Sequence, residues 1–429
     1  MSRHRRAEET HGHGHGHGQE GAADGAVQVG ALARTAVLVS LAAFVVAAVV
    51  GAVWLWPDRE PDFGEGGPPA FATEDTEFVT ADVTEVAAPC TDGERAAVED
   101  GAAGSRGGGG GAAALTCGQV AATVTEGAGE GERAVFPVAP EVSRSGLTGG
   151  DSVLVVRVPT EGGASYQFSQ VQRGGALAWL LGIFVVAVIA VARLRGLMGL
   201  VGLGLGAVVV WQFTLPALLI GENGLAVAMT SATAIMVVVL YTTHGFSMRS
   251  SVALLGTLVG VALTGVLGLL AMGGTRLSGI SDETGGLLAG QVSGLDFRGL
   301  LVCGIVLTGL GVLNDVTITQ ASVVWELRAA QPGMPRRQVF ASAMRIGRDH
   351  IASSIYTLLF AYTGAALIVL MLVSLLDRPF LELVSSGVLT EEIVRTLTSA
   401  IGLVLAVPLT TGLAALLAAP AAARQAGPL

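Results

Sequence analysis

Long apolar runs constrain the fold of this chain more than any other feature. A helical crossing of a bilayer needs about 20 mainly apolar residues, and eight segments come near that length. They are 31–56, 177–192, 197–220, 225–241, 252–272, 300–325, 351–376 and 393–418. Because apolar residues make up 51% of the chain and charged residues only 14%, composition also favours a membrane protein. We therefore expect an α-helical polytopic membrane protein with about eight transmembrane helices.

The arginines predict how these helices are oriented. Basic residues in short loops are retained on the cytoplasmic side of a membrane. If all eight runs cross, one side receives Arg3, Arg5, Arg6, Arg34, Arg193, Arg195, Arg249, Arg328, Arg336, Arg337, Arg345, Arg348 and Arg424. The opposite loops are mainly acidic. Both termini should then be cytoplasmic, with the lipid bilayer as the main partner. The net charge of −10 argues against nucleic acid as a partner.

The segment 57–175 is the one sizeable soluble part of the chain. It contains period-2 runs of β-branched residues bounded by glycine and proline, a pattern typical of a small β-barrel or sandwich. We expect a β-rich extracytoplasmic domain inserted between helices 1 and 2. The other predicted parts are a disordered cytoplasmic tail at 1–30, helix 1 at 31–56, a seven-helix membrane domain at 176–418 and a cytoplasmic tail at 419–429.

Cys90 and Cys117 flank a glycine-rich stretch at 101–114 within this domain. Outside the cytoplasm such a pair commonly forms a disulfide, which here would close the glycine-rich loop. The alternative is two unpaired thiols.

Four histidines alternate with glycine near the amino terminus. His11, His13, His15 and His17 could bind a divalent transition metal, because neutral imidazole is a good ligand. The alternative is a disordered tail whose metal affinity is incidental. The remaining histidines are scattered along the sequence, so we expect no cofactor.

Asp315 lies within the apolar run 300–325. A carboxylate at bilayer depth costs roughly 2.5–3.5 kcal/mol on insertion scales, so a functional role is the default interpretation. Spacings of three and four residues place a polar set on one helical face. That set is Thr308, Gly311, Asp315, Thr319, Ser322 and Glu326, with Asn314 next to the carboxylate. This face should not point at lipid.

A similar polar stripe runs along the seventh span. It comprises Arg345, Asp349, Ser353, Tyr356, Phe360 and Thr363, with Arg348 beside it. Two antiparallel neighbours could bury the two stripes against each other, with Glu326 and Arg345 as the easier ion pair. Asp315 would then need either Arg348 or polar neighbours. Two roles stay open for Asp315: a proton carrier with a raised pKa, or a buried structural residue held by hydrogen bonds.

Three short segments carry a family resemblance. They are Gly-Leu-Gly-Val-Leu-Asn-Asp-Val-Thr at 309–317, Ile-Gly-Arg-Asp at 346–349 and Leu-Phe-Ala-Tyr-Thr-Gly at 359–364. Together they resemble the YibE/F family of bacterial membrane proteins, and the similarity extends over 177–417. The resemblance implies a multi-pass protein of the bacterial plasma membrane. It supplies no substrate.

Two functions from different classes remain. In the first, the chain is a proton- or cation-coupled transporter or permease for a small solute or ion, using the polar faces of helices 6 and 7. In the second, it is a non-transporting assembly or sensory protein that acts through its extracytoplasmic domain, either alone or as a homo-oligomer. We do not expect an enzyme, because the sequence has no phosphate-binding loop, no His-Glu-x-x-His and no Gly-x-Ser-x-Gly.

Overall fold

A computed structural model describes residues 27–63, 76–90, 115–160, 163–375 and 379–420. In chain order its elements are β1 (Val27–Val29), α1 (Ala31–Trp54), β2 (Glu77–Val86), β3 (Gln119–Glu126), β4 (Arg133–Pro137), α2 (Pro140–Arg144), β5 (Ser152–Thr160), β6 (Gly163–Val171), α3 (Gly174–Val209), a π-helical segment (Val210–Thr214), α4 (Leu215–Leu219), α5 (Gly224–His244), α6 (Met248–Thr275), α7 (Glu283–Gln291), α8 (Phe297–Ala330), α9 (Arg336–Ala365), α10 (Leu367–Leu375), α11 (Phe380–Val384), α12 (Gly387–Leu417) and β7 (Ala418–Pro420). Contacts divide the chain into two compact units, Pro68–Ala187 and Met1–Gly67 with Val188–Leu429.

The main part of the smaller unit, from β2 to β6, is a five-stranded antiparallel sheet with strand order β4-β3-β2-β5-β6, which we call the barrel unit. Alternate residues of β2, namely Val79, Ala81 and Val83, are buried, as the period-2 pattern predicts. The edge strands β4 and β6 also contact each other, so the sheet curls into a barrel-like form.

Side chains from opposite edges close this barrel. The rings of Phe136 on β4 and Phe168 on β6 stack with centroids 6.3 Å apart. The Tyr166 hydroxyl donates a hydrogen bond of 2.5 Å to Glu132. Burial raises the pKa of Tyr166, and the hydrogen bond to the Glu132 carboxylate raises it further. Strands β4 and β6 are not paired with each other, so these side chains cover two edges that would otherwise be open to another strand.

Cys90 and Cys117 are joined as a disulfide, with their Cα atoms 4.8 Å apart. The bond ties the chain after β2 to the chain before β3. The glycine-rich stretch it encloses, 101–114, lies outside the described residues.

Replacing both cysteines should loosen the barrel. The disulfide closes a loop with a sequence separation of 27 residues, and loss of such a cross-link costs about 3.5 kcal/mol on the chain-entropy scale. We expect the double substitution Cys90→Ser with Cys117→Ser to speed proteolysis of this unit in the full-length protein. The matched control is Cys303→Ser in the larger unit. Equal rates of proteolysis in wild type and the double variant would contradict the expectation.

The larger unit supplies most of the helices expected to cross a membrane. Six described helices are long and apolar enough to cross a membrane. The number rises to seven if α9 and α10, which meet at an angle of 64°, are counted together as one span. The eight predicted runs fall mainly on described helices, although the seventh breaks near Ala366 and its last residue lies outside the described residues. Pro408 lies inside α12 without ending it.

The second and third predicted runs lie in one long helical stretch, Gly174–Leu219. Arg193 interrupts it with φ of 53° and ψ of −134°, which are not helical. A Cβ atom on Gly196 would lie 2.8 Å from the carbonyl oxygen of Val188. In a straight helix, residues eight apart are about 12 Å apart along the axis. The chain therefore bends sharply at Arg193, between the two predicted runs.

Helices α6, α8 and α12 form the centre of the larger unit. Helices α6 and α12 run antiparallel, and small residues let them approach closely, as is common between membrane helices. A Cβ on Gly256 would collide with Thr410 Oγ1, one on Gly402 would collide with Thr264 Oγ1, and one on Gly260 would lie 3.0 Å from the Ala406 methyl group. Helix α8 packs against both partners.

The first and last described residues of the chain meet at one end of this unit, which is rich in arginine. Strand β1 pairs with β7, so Val27 lies opposite Pro420. Arg328 is 3% exposed and donates from Nε to the Ala418 carbonyl at 3.0 Å and from Nη1 to the Met334 carbonyl at 2.7 Å. This arginine therefore joins the end of α8, the loop before α9 and the end of α12.

A larger side chain at Gly256 should separate α6 from α12. Gly256→Leu would overpack the contact with Thr410, at a cost of about 1–3 kcal/mol. The matched control is Gly204→Leu, because nothing lies within 4 Å of a Cβ at that glycine. We expect a lower midpoint of thermal unfolding in detergent for Gly256→Leu alone. Equal midpoints for both variants would show that this contact does not limit stability.

Candidate functional site: a polar cavity on helix α8

Helix α8 has a buried apolar side and an open polar side. It begins at Asp296, whose carboxylate accepts a hydrogen bond of 2.9 Å from the Gly299 amide. Leu313 and Val316 are fully buried in the core. On the other side Asp315 and Glu326 are exposed, whereas Thr308, Thr319 and Ser322 are half-buried. Both sides result from helical periodicity, since the polar residues recur every three or four positions.

A cavity of about 770 Å³ lies over this polar side. Helix α8 contributes Asn314, Asp315, Thr319, Ser322 and Glu326 to its wall. The remaining wall includes Arg195, Thr243, His244, Arg249 and Ile346. The structure thus brings five of the predicted site residues to one cavity and adds basic groups from three other segments.

Several oxygen atoms in the cavity wall lack a partner among the described residues. Among the described residues, neither Asp315 nor Glu326 takes part in a hydrogen bond or ion pair through its carboxylate. Asn314 Oδ1 is buried and likewise has no hydrogen-bond partner there, although the backbone carbonyl of Asn314 accepts a bond of 3.1 Å from Thr317 Oγ1. By contrast, Arg195, His244 and Arg249 all have polar or electrostatic interactions. The carboxylates and the amide are therefore the groups available to a ligand.

The polar stripe of α9 does not pack against that of α8, contrary to our expectation. Arg345, Arg348 and Asp349 are exposed, and Arg345 Nη2 donates to Ser342 Oγ at 3.2 Å. The expected ion pair between Glu326 and Arg345 is not formed.

The physical reason is the packing of α9 on α12. Helix α9 contacts α12 more extensively than it contacts α8, and it turns its small residues inward. A Cβ on Gly347 would lie 2.9 Å from Val407 Cγ1 and 3.0 Å from Gln320 Nε2. With Gly347 inside, the charged neighbours Arg345, Arg348 and Asp349 point outward.

The structure also shows buried polar residues that the sequence analysis missed. Thr257 on α6 and Thr317 on α8 share a hydrogen bond of 2.6 Å, and Thr411 on α12 donates to Gln320 Oε1 at 2.9 Å. All four side chains are fully buried. The spacing of Thr317 and Gln320 on one face of α8 was the available signal. These bonds link the three central helices across the core.

A second cavity of about 930 Å³ lies between α1 and α5, near the end where α5 begins. Arg59 and Glu222 form an ion pair of 2.7 Å at its rim. None of the predicted site residues lies in it.

No cluster of three or more histidine, cysteine or acidic residues that could hold a metal ion occurs within the described ranges. The candidate ligands His11, His13, His15 and His17 lie outside those ranges, so metal binding by the amino-terminal tail stays a prediction.

A match to a known protein family shows which proteins this chain is related to. The family model described as YibE/F-like protein matches residues 180–420, more than half of the chain. The chain belongs to the YibE/F-like family. The match covers every candidate pathway residue from Thr308 to Asp349 and leaves out most of the barrel unit of this YibE/F-like protein. No curated protein matches the chain, and no solved structure matches it.

Chemical labelling of introduced cysteines should distinguish the polar side of α8 from its buried side. Ser322 lines the cavity, whereas Thr317 on the same helix is fully buried. In open membrane fragments a charged maleimide should modify Ser322→Cys readily and Thr317→Cys hardly at all. Background should be low, because Cys303 is 1% exposed and the other two cysteines are disulfide-bonded. Equal labelling at both positions would contradict the described cavity.

Proposed function

We propose that this YibE/F-like protein is a proton- or cation-coupled transporter of the bacterial plasma membrane and that Asp315 is its coupling group. The observation that carries the proposal is an exposed carboxylate, without a hydrogen bond or ion pair among the described residues, in a cavity on a helix long and apolar enough to cross a membrane. Ionisable residues within such helices commonly mark ion pathways or proton relays.

The depth of Asp315 supports this role. At 1.5 Å per residue, Asp315 lies about 22 Å from the last residue of α8, Ala330, and about 27 Å from the first, Phe297. A hydrocarbon core about 30 Å thick would therefore contain the carboxylate under any placement centred on this helix. Glu326, about 16 Å from Asp315, lies near the basic end and would serve as an entry group.

The α8 side of the cavity wall offers ligands that suit a small cation or a proton, whereas the other side carries Arg195, His244 and Arg249. Carboxylate, amide and hydroxyl oxygens suit hard cations, whereas thiolate and imidazole favour transition metals. The ligand atoms on α8 are the carboxylate oxygens of Asp315, the amide oxygen of Asn314 and the hydroxyl oxygens of Thr319 and Ser322. The amide and hydroxyl groups can also donate hydrogen bonds. A proton on Asp315 or a bound cation would remove the net charge of that carboxylate and lower the cost of holding it at bilayer depth.

We further propose eight crossings, with both termini and the basic end of the helical unit in the cytoplasm. The positive-inside tendency favours this orientation, because Arg195, Arg249 and Arg328 belong to that end. The bend at Arg193 would provide the turn between the second and third crossings. The cavity would then open towards the cytoplasm.

Neutralising Asp315 tests the function. A deletion strain would be complemented with wild type, Asp315→Asn, Arg348→Ala or the exposed control Glu283→Gln, and uptake and efflux of a panel of labelled solutes and cations would be measured. We expect wild type and Glu283→Gln to move one solute or cation and Asp315→Asn to reduce that flux at least about tenfold, equivalent to about 1.4 kcal/mol. Membrane levels of each variant, read from immunoblots, control for folding.

Undiminished flux in Asp315→Asn would refute the coupling role. If no solute moves, yet deletion of residues 57–175 abolishes the strain's wild-type phenotype, the non-transporting assembly or sensory function would replace this proposal.

A further inference from the structure

The cavity between α1 and α5 takes no part in the proposed transport. We call it the α1–α5 cavity, and its volume of about 930 Å³ is typical of a site for a small molecule. Its walls are mainly apolar and include Phe44, Ala48, Trp54, Ala226 and Met229. A Cβ atom on Gly51 would collide with Thr230 Oγ1. Because Gly51 and Thr230 both line the cavity, this contact between the two helices forms its floor.

The α1–α5 cavity is about as deep as one leaflet of a membrane. On α1 it extends from Phe44 to Trp54, which lie about 15 Å apart along the helix axis. Beside it, Asn223 and Thr233 are separated by the same number of residues. The hydrocarbon core of a bilayer is about 30 Å thick, so one leaflet contributes about 15 Å. Since α1 and α5 are both long and apolar enough to cross a membrane, the walls match the length of a lipid tail.

Charged residues form the rim at one end of this cavity. Asp58 and Arg59 follow α1, and Glu222 precedes α5. Helix α1 begins next to the paired strands β1 and β7, at the arginine-rich end of the unit, so the rim lies at the opposite end. Apolar walls with a few polar groups at one end suit a molecule that has an apolar tail and a polar head.

The charges of the rim are complementary to an ammonium group. Arg59 Nη2 lies 2.7 Å from Glu222 Oε1, and Arg59 Nε lies 3.7 Å from Asp58 Oδ1. One guanidinium group therefore serves two carboxylates, which leaves an excess of negative charge. The Asp58 side chain is 77% exposed, so a cationic group can reach it. An ammonium group would balance this second carboxylate.

Asn223 adds a hydrogen-bond donor to the same rim. Its amide oxygen accepts a hydrogen bond of 3.0 Å from the Ala226 amide and so caps α5. The NH2 group of its side chain is therefore the part that can serve an acceptor such as a phosphate oxygen. The rim thus offers a carboxylate for a cation and, beside it, a donor for an anion.

We propose that the α1–α5 cavity binds a phospholipid whose head carries both an ammonium and a phosphate, as in phosphatidylethanolamine. The ammonium pairs with Asp58, the carboxylate that Arg59 holds less closely, and the phosphate accepts a hydrogen bond from Asn223 Nδ2. One acyl chain lies along the apolar wall from Trp54 to Phe44. Phosphatidylglycerol, which has no ammonium, would bring a net negative charge to an acidic rim. The binding does not depend on the proposed transport.

Photoactivatable lipids test this site. Two phospholipids would carry the same diazirine in one acyl chain and differ only in the head, which is that of phosphatidylethanolamine or phosphatidylglycerol. The full-length protein would be reconstituted in vesicles with each lipid and irradiated, and labelled peptides would be mapped by mass spectrometry. We expect the phosphatidylethanolamine analogue to label 44–51 and 229–233 about fivefold more, since an exposed ion pair contributes little more than that. The exposed surface of α3 at 203–208 should be labelled equally by both analogues.

Neutral variants separate recognition of the head from general contact with lipid. Asp58→Asn combined with Glu222→Gln should abolish or reverse the preference, because Arg59 then remains as the only charge of the three. The matched control is Glu283→Gln, which changes an exposed carboxylate on α7 outside the cavity and should keep the preference. Elution of each variant as a single peak in detergent controls for folding.

Filling the cavity provides a second measurement. Ala48→Trp places a large side chain in the cavity and should lower labelling of 229–233 severalfold. Ala42→Trp is the matched control, because Ala42 is exposed on α1 and does not line the cavity. Equal labelling of the wild-type cavity by both analogues would mean contact with lipid tails without recognition of the head, and it would overturn the proposal. Absence of labelling there, with 203–208 labelled, would overturn it too, because protein would then cover the cavity.

Discussion

The absence of water in the core of a bilayer is the constraint on which the larger unit depends. Without water, every backbone amide and carbonyl must find a partner within the protein, and helices satisfy this need locally. Apolar side chains then cover most of the helices. A carboxylate such as Asp315 departs from this rule, and its position on α8 gives that helix its importance.

Close packing of the central helices determines what remains open. The contacts of Gly256 with Thr410 and of Gly402 with Thr264 draw α6 and α12 together, and α8 fills the groove that they form. Hydrogen bonds from Thr257 to Thr317 and from Thr411 to Gln320 link the three helices inside the core. These contacts occupy the apolar side of α8. The polar side of α8 therefore faces the cavity.

The barrel unit follows a different rule, in which alternation along each strand takes the place of a continuous apolar run. Its strands alternate buried and exposed residues, and its edges meet through Phe136 and Phe168. A disulfide supplements a small core, as is common outside the cytoplasm. The family match covers the membrane helices and little of this unit, so the polar residues of α8 belong to the part that relates this chain to its family.

The sequence by itself determined the helices, the alternating strands and the polar face of α8, because each depends on a local period or on run length. It also placed Asp315 and Glu326 on one side of a single helix. Only the tertiary structure decided which side of α9 faces the core. Spacing fixes the angles between residues on one helix, but the choice of neighbour depends on shape, and the fit of Gly347 against Gln320 and Val407 turned Arg345 and Arg348 outward. For the same reason the buried bonds of Thr317 and Gln320 could not be foreseen, since their partners lie 60 and 91 residues away along the chain.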